Sequence, residues 1–257
     1  MRQIGMQVQP IISSVDSAQI ARIDLAAAYR LAVFHELEEG IDNHLTLSVP
    51  GISDRYLVLP FGLHWSEATA SNLIAFNESG ETLEGEGLVE LSAQCIHAPI
   101  HRICGKAAVL HTHQNWALAL NMLEDNRLIP ACQTSAFFHN RVVYFDEYNG
   151  TADSLEEGEH LAEALGEHEI MFMRNHGVLI AADSIAKAYR MLYLLERVCR
   201  AQIRAMSTGK KLLPIAEDAI LKVQTPDEND RHKGQRHHLY FEAMKRVLDR
   251  QMPGYAD

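Results

Sequence analysis

Two histidines spaced two positions apart, His111 and His113, close the apolar run Ala107-Ala108-Val109-Leu110. In a β-strand the side chains at i and i+2 share a face, so both imidazoles converge on one spot. Neutral imidazole is the commonest transition-metal ligand, and a buried strand that delivers two of them at its C-terminal end supplies half of a metal site. His176 is the candidate third ligand. It stands in the Asn175-His176-Gly177 step that interrupts the apolar stretch between Ile170 and Ile180, where an unsatisfied polar group is costly. The chain holds 14 histidines, so the spaced pair alone is a weak signal and gains weight only with His176. A second pair, His97 and His101, falls at i and i+4 of an expected helix. It too can chelate, but a helix leading straight into a buried strand normally turns that face onto the sheet.

A metal held by three neutral imidazoles keeps its positive charge and leaves coordination positions open. It can bind a carbonyl and a hydroxyl oxygen of one substrate and stabilise the enolate that forms when a bond at the neighbouring carbon breaks. Retro-aldol cleavage, epimerisation, dehydration and decarboxylation of a keto acid all pass through such a state. Decarboxylation alone needs no base to start it.

The elements that must position these groups follow from periodicity. Residues 17–39 carry Ile20, Ile23, Leu31 and Phe34 at near-helical spacing until Gly40 stops them. Leu45, Leu47 and Val49 then alternate with polar residues as a half-buried strand, paired through the Pro50-Gly51 turn with 55–60. A helical turn is expected over 67–73 and a strand over 72–76, ending at the Asn77-Glu78-Ser79-Gly80 turn. Helices are expected over 92–103, 116–123 and 154–165. Residues 129–138 lead into a strand over 141–145, and a strand over 168–173 is expected to continue, past the Asn-His-Gly step, into 178–181. A long helix over 184–206 has Asp183 or Ser184 as its N-cap. Residues 214–234 read as polar and turn-rich, and a last helix covers 237–250. The fold class is α/β: a three-layer α/β/α arrangement with a mixed, mainly antiparallel central sheet covered by helices on both faces. Residues 1–16 read as a loose arm and 17–257 as a single domain with a C-terminal helical extension.

Composition narrows the function classes. With 257 residues, 47% hydrophobic and 22% charged, the chain can bury a full core. A formal charge of −11 without a segregated basic patch argues against nucleic acid or an anionic membrane as partner. The N-terminus lacks the apolar core of a signal peptide, and no stretch suits a membrane span. Cys95, Cys104, Cys132 and Cys199 show no Cys-x-x-Cys spacing, so neither a cysteine zinc site nor a disulfide framework is indicated. The expected location is the cytoplasm.

Three motifs in order, Asp42-Asn43-His44-Leu45-Thr46, Val109-Leu110-His111-Thr112-His113 and Arg174-Asn175-His176-Gly177, resemble the class II aldolase/adducin family over roughly residues 19–204. The resemblance implies a homo-oligomer, often a tetramer, with active sites between subunits and a small-molecule substrate. It implies three histidine ligands, here His111, His113 and His176, for a divalent metal, zinc first, with iron or manganese as alternatives. The family's phosphate-binding and substrate-positioning segments correspond loosely to 43–48 and 62–71, which makes Asn43, Thr46, Gly62, His64 and Ser66 candidate substrate contacts. Thr134 joins them, standing near where some aldolases place a proton-donating tyrosine. The acid/base glutamate of the sugar-phosphate aldolases corresponds to Ala93, with Glu90 the nearest carboxylate. The expected function is therefore a metal-dependent lyase acting on a small carbonyl or keto-acid substrate, by aldol cleavage or decarboxylation. Its alternatives are a non-heme iron oxygenase on the same triad and an adducin-like, non-catalytic module making actin-cytoskeleton contacts. No glycine-rich loop accompanies the hydroxyls Thr46, Ser48, Thr69 and Ser71, so a phosphorylated substrate is not favoured.

Overall fold

The computed structural model describes residues 14–148, 150, 153–225, 232 and 234–257. Most of the expected N-terminal arm lies outside them. Helix α1, Ser14–Phe34, leads into a meander of four short strands: β1 His44–Ser48, β2 Tyr56–Val58, β3 Ile74–Phe76 and β4 Thr82–Glu84. A π-helical turn, Ala93–His97, runs into α2, Ala98–Cys104, which Gly105 ends in the left-handed conformation. The chain continues through β5 Ala108–Thr112, α3 Asn115–Asn121, α4 Gln133–Phe138, β6 Val142–Phe145 and α5 Leu155–Leu165. It closes with β7 Ile170–Met173, β8 Gly177–Ala182, α6 Ile185–Met206, α7 Glu217–Gln224 and α8 Arg236–Gln251.

The eight strands form one sheet in the order β4-β3-β2-β1-β5-β8-β7-β6. All pairs are antiparallel except β6 with β7, as a mixed, mainly antiparallel sheet requires. Alternation along the central strands sorts the core into layers. Leu45, Leu47, Ala108, Leu110, Ile170, Phe172, Val178 and Ile180 face α1, α6 and α8. Val109, Met171, Met173, Leu179 and Ala181 face the helical segment 93–104 and α5, where Ile96, Ile100, Leu161 and Leu165 meet them. His44 and Thr46 are cross-strand partners of His111 and Val109, so they share this second face.

Three expectations are corrected. The strand at 168–173 does not continue past the Asn-His-Gly step: the chain reverses there, and β7 and β8 are antiparallel neighbours with Met173 opposite Gly177. Asn175 makes the reversal by taking φ +56°, a left-handed conformation that asparagine tolerates better than most residues. The polar stretch 214–234 contains α7, anchored by the single buried side chain Ile220. The helical turn expected at 67–73 is a three-residue 3-10 turn that begins two residues earlier, Trp65–Glu67, with Trp65 fully buried against Tyr29.

Candidate metal centre

His111 is the penultimate residue of β5 and His176 ends the turn before β8, two strands joined by a continuous ladder from Ala108↔Ala182 to Thr112↔Val178. His113 follows β5 directly. One ring nitrogen from each of His111, His113 and His176 lies within 4.8 Å of the others. Their ring centroids are 4.8–5.0 Å apart and roughly perpendicular, so the edges rather than the faces of the rings converge. Gly177 makes room for this: a Cβ there would stand 2.6 Å from both His113 Cδ2 and the Thr112 carbonyl. Asn121 on α3 clamps the turn through its amide, donating to the carbonyls of Met173 and Gly177.

The outward ring nitrogens are fixed by partners. His111 Nδ1 donates to the Val178 carbonyl at 3.0 Å, which leaves its Nε2 as the lone pair facing the cluster. His113 Nδ1 lies 2.6 Å from Glu39 Oε2, and the His113 backbone N–H donates to Asn43 Oδ1 at 3.0 Å. His113 Nε2 is buried and has no hydrogen-bond partner among the described residues. Burial, and then the neighbouring imidazoles, hold His111 well below the usual histidine range and His176 down to about 4. Both are neutral at pH 7. The residues thus fit a divalent ion: one ring nitrogen from each histidine converges, one of these is buried without a hydrogen-bond partner among the described residues, and a carbonyl and a carboxylate orient the His111 and His113 rings from behind.

Beside the cluster lies a small cavity lined by Tyr29, Asn43, His44, Trp65, Glu90 and Ala93, among others. His44 connects the two, its ring 5.6 Å from that of His111. Ala93 is fully buried in the cavity wall. Glu90 enters the same wall from the preceding loop, half-buried, with Oε1 2.8 Å from Ser92 Oγ and Oε2 3.9 Å from His44 Nε2. Its carboxyl group is pushed above the ordinary glutamate range, chiefly by burial.

The expected substrate contacts fare unevenly. Asn43 lines the cavity and, at φ +67°, turns its side chain to the His113 backbone. Thr46 is fully buried on β1, where its hydroxyl lies 2.7 Å from both His97 Nδ1 and His101 Nε2. His97 and His101 are therefore a buried polar pair against the sheet, set apart from the converging cluster. His64 and Ser66 are engaged with each other at the 3-10 turn, His64 Nδ1 to Ser66 Oγ at 2.8 Å, while Gly62 is exposed; none of the three lines the cavity. Thr134 is on α4, which packs on α6 and α7 away from the cavity wall. Sequence reasoning missed Glu39, 74 residues from His113 and without any local pattern to mark it. It also missed His44, which sat inside a quoted motif without a role.

The model of the family described as "Class II Aldolase and Adducin N-terminal domain" matches residues 23–203. A Pseudomonas aeruginosa protein named for aldolase class 2 is 34% identical over 243 residues, 91% of each chain. The crystal structure of an aldolase II superfamily protein from Pseudomonas syringae superimposes with TM-score 0.85 and 33% identity, covering 98% of both chains. A decarboxylase of Streptomyces niveus, NovR, is 29% identical over 175 residues, 67% of this chain and 64% of that protein. The chain belongs to the class II aldolase/adducin family.

Proposed function

We propose that this protein is a metal-dependent lyase that breaks a carbon–carbon bond next to a carbonyl in a small, unphosphorylated oxygenated substrate, with a keto acid as the favoured class. The observation that carries the reading is the buried Nε2 of His113, without a hydrogen-bond partner among the described residues and close to ring nitrogens of His111 and His176. The three histidines would hold the ion, zinc first, with iron or manganese as alternatives. When bound, such an ion supplies Lewis-acid polarisation of carbonyl and hydroxyl oxygens, worth several kcal/mol in the transition state.

The chain's own residues supply the rest. Glu39 and the Val178 carbonyl hold the His113 and His111 rings in place. Asn43 fixes the backbone between the cluster and the cavity. Glu90 brings a carboxyl group to the cavity wall with a raised proton affinity, suited to giving a proton to, or taking one from, a carbon centre. Trp65, Leu59 and Leu63 give the cavity apolar walls that exclude water. Decarboxylation is favoured over sugar-phosphate cleavage because Ala93 stands in place of the family's glutamate and no glycine-rich loop is present to cradle phosphate. The name of the Streptomyces decarboxylase supports the same choice. A full histidine triad supports an enzyme over an adducin-like binding module. Assembly as a homo-oligomer with sites between subunits, and a cytoplasmic location in keeping with four free cysteines, complete the proposal.

The test is carbon dioxide release by metal-loaded protein from a panel of keto acids, with aldol cleavage of hydroxy-keto compounds followed in parallel. Carbon dioxide from at least one keto acid, abolished in His111→Ala, is expected. Cleavage of hydroxy-keto compounds with no carbon dioxide from any keto acid overturns the decarboxylase reading. Bound metal unchanged in the double variant His111→Ala, His176→Ala overturns the metal assignment.

A further inference from the structure

Behind the cavity an unbroken line of polar groups crosses the protein interior. Ser92 Oγ lies 2.8 Å from Glu90 Oε1 and 3.0 Å from His44 Nε2. His44 Nδ1 is 2.7 Å from His97 Nε2, and His97 Nδ1 is 2.7 Å from Thr46 Oγ1. Thr46 Oγ1 is 2.7 Å from His101 Nε2, and His101 Nδ1 is 2.7 Å from the Lys106 carbonyl and 3.2 Å from Ser48 Oγ. His44, Thr46, His97 and His101 are all buried. Ser48 is half-buried and borders an open groove beside α1, so the far end reaches the surface.

The direction of every link follows from one fixed end. A carbonyl only accepts, so His101 Nδ1 carries a proton and donates to Lys106. Neutral His101 then accepts at Nε2, and its donor is the Thr46 hydroxyl, whose other contact, the Val109 carbonyl, is longer at 3.4 Å. With its one proton spent, Thr46 accepts from His97 Nδ1–H. His97 accepts at Nε2 from His44 Nδ1–H, and His44 accepts at Nε2 from the Ser92 hydroxyl. With the Ser92 proton given to His44, this polarity requires the 2.8 Å contact with Glu90 to carry a proton on the Glu90 carboxyl, whereas an ionised Glu90 would take the Ser92 proton itself.

We infer that Glu90, Ser92, His44, His97, Thr46 and His101 form a proton relay, polarised outward, that carries a proton from Glu90 in the cavity to His101 and the surface beside Ser48. The step balances without any redox partner. Glu90 passes its proton to Ser92 as Ser92 passes its own to His44 Nε2. His44 releases its Nδ1 proton to His97, His97 to Thr46, and Thr46 to His101 Nε2. His101 then carries two N–H groups and loses the Nδ1 proton through Ser48 to solvent, while Ser48 turns its hydroxyl to donate to that nitrogen. Every link from Glu90 to His101 is left reversed, while the Lys106 carbonyl is without its donor until a proton returns inward. Burial, the largest influence on both groups, favours a neutral His101 and raises the proton affinity of Glu90. A substrate filling the cavity mouth would thus not cut Glu90 off from bulk protons. This use of the relay rests on the lyase reading, but its existence does not.

Nitrogen-15 NMR of metal-free full-length protein tests it directly. Three Nδ1–H tautomers are expected at His44, His97 and His101, together with the carbonyl stretch of a protonated carboxylic acid in the infrared that is lost in Glu90→Gln. The buried His97 N–H is expected to exchange with solvent without waiting for local unfolding. That fast exchange is lost in Thr46→Val, which keeps the side-chain shape and removes the hydroxyl link. An Nε2–H tautomer at His97 or His101, absence of the carboxylic-acid band in the wild type, or equally fast exchange in Thr46→Val overturns the relay. All these readouts are taken without metal or substrate. Failure of the lyase reading shows instead in the carbon dioxide assay, so the two outcomes are separable even if Thr46→Val does not fold.

Discussion

Gly177→Ala tests the placement of the candidate metal centre with one added methyl group. Gly177 is buried at the start of β8, beneath the converging rings. Its new Cβ would meet the Thr112 carbonyl oxygen and His113 Cδ2 at 2.6 Å, and His111 Cε1 at 3.3 Å. Ordinary contact begins near 3.4 Å, so the shortfall is about 0.8 Å. The carbonyl belongs to the backbone of the paired strand and cannot swing aside, so β8 and β5 must part at the ligand end or the His113 ring must tilt. Overpacking of this kind costs on the order of 1–3 kcal/mol, and about 2 kcal/mol corresponds to a Tm lower by about 4–8 °C in a chain of this size. Ligand constellations tolerate displacements of only about 0.5 Å, so metal affinity should fall by about 10–100-fold, as when the groups behind a ligand are altered. Competition with a chromophoric chelator measures the affinity, and calorimetry of metal-free protein measures the Tm. Wild-type affinity with a lowered Tm would refute the reasoning, because the strain would then have been absorbed without moving the ligands.

Further perturbations probe neighbouring features. Glu39→Gln removes the charge behind His113 and should weaken zinc binding by about 10–100-fold, read in the same chelator competition, with little change in metal-free Tm. His101 bears on stability against pH. Its folded-state value is pushed down to about 4 by burial, against an ordinary 6.5, so between those values the unfolded chain binds the extra proton. Its contribution is full above pH 6.5 and lost as pH falls toward 4, on the order of 3 kcal/mol. Urea unfolding at pH 7.5 and at pH 5 should show a smaller difference in His101→Gln than in the wild type. Asn175, left-handed at φ +56°, should accept glycine with little loss, whereas Asn175→Ala should cost about 1–2 kcal/mol in the same assay.

Which features were legible in the sequence depended on how much of their signal was local. The i, i+2 rule brought His111 and His113 together, and the polar interruption of an apolar stretch identified His176, because both depend on a few consecutive residues. The same interruption was misread as a break within one strand. Periodicity registers that apolar runs flank a polar step but not that Asn175 takes a left-handed φ and sends the chain back. α7 escaped because one buried residue, Ile220, makes no periodic pattern. β4 escaped because it is three residues long and largely exposed, held on the outside by Glu84 bridging Arg22 and Arg55. Glu39 and Glu90 acquire meaning only in three dimensions. The resemblance pointed to Ala93 for the family's glutamate but could not show that Glu90 reaches the same cavity wall from the preceding loop.

The ladder between β5 and β8 has a consequence for how such a protein can diversify. All three candidate ligands sit at one end of a single strand pair, so the cluster depends on that register and on a turn of three residues. Everything between the second ligand and β7, including α3, α4, β6 and α5, is an excursion that leaves the pair and returns to it. Apart from the Asn121 clamp, its loops can lengthen or change sequence without shifting the imidazoles relative to one another. New substrate preferences can therefore accumulate in that excursion while the candidate metal centre stays constant, whereas a one-residue insertion inside β5 ahead of His111 would rotate His111 to the opposite face and break up the cluster in a single step.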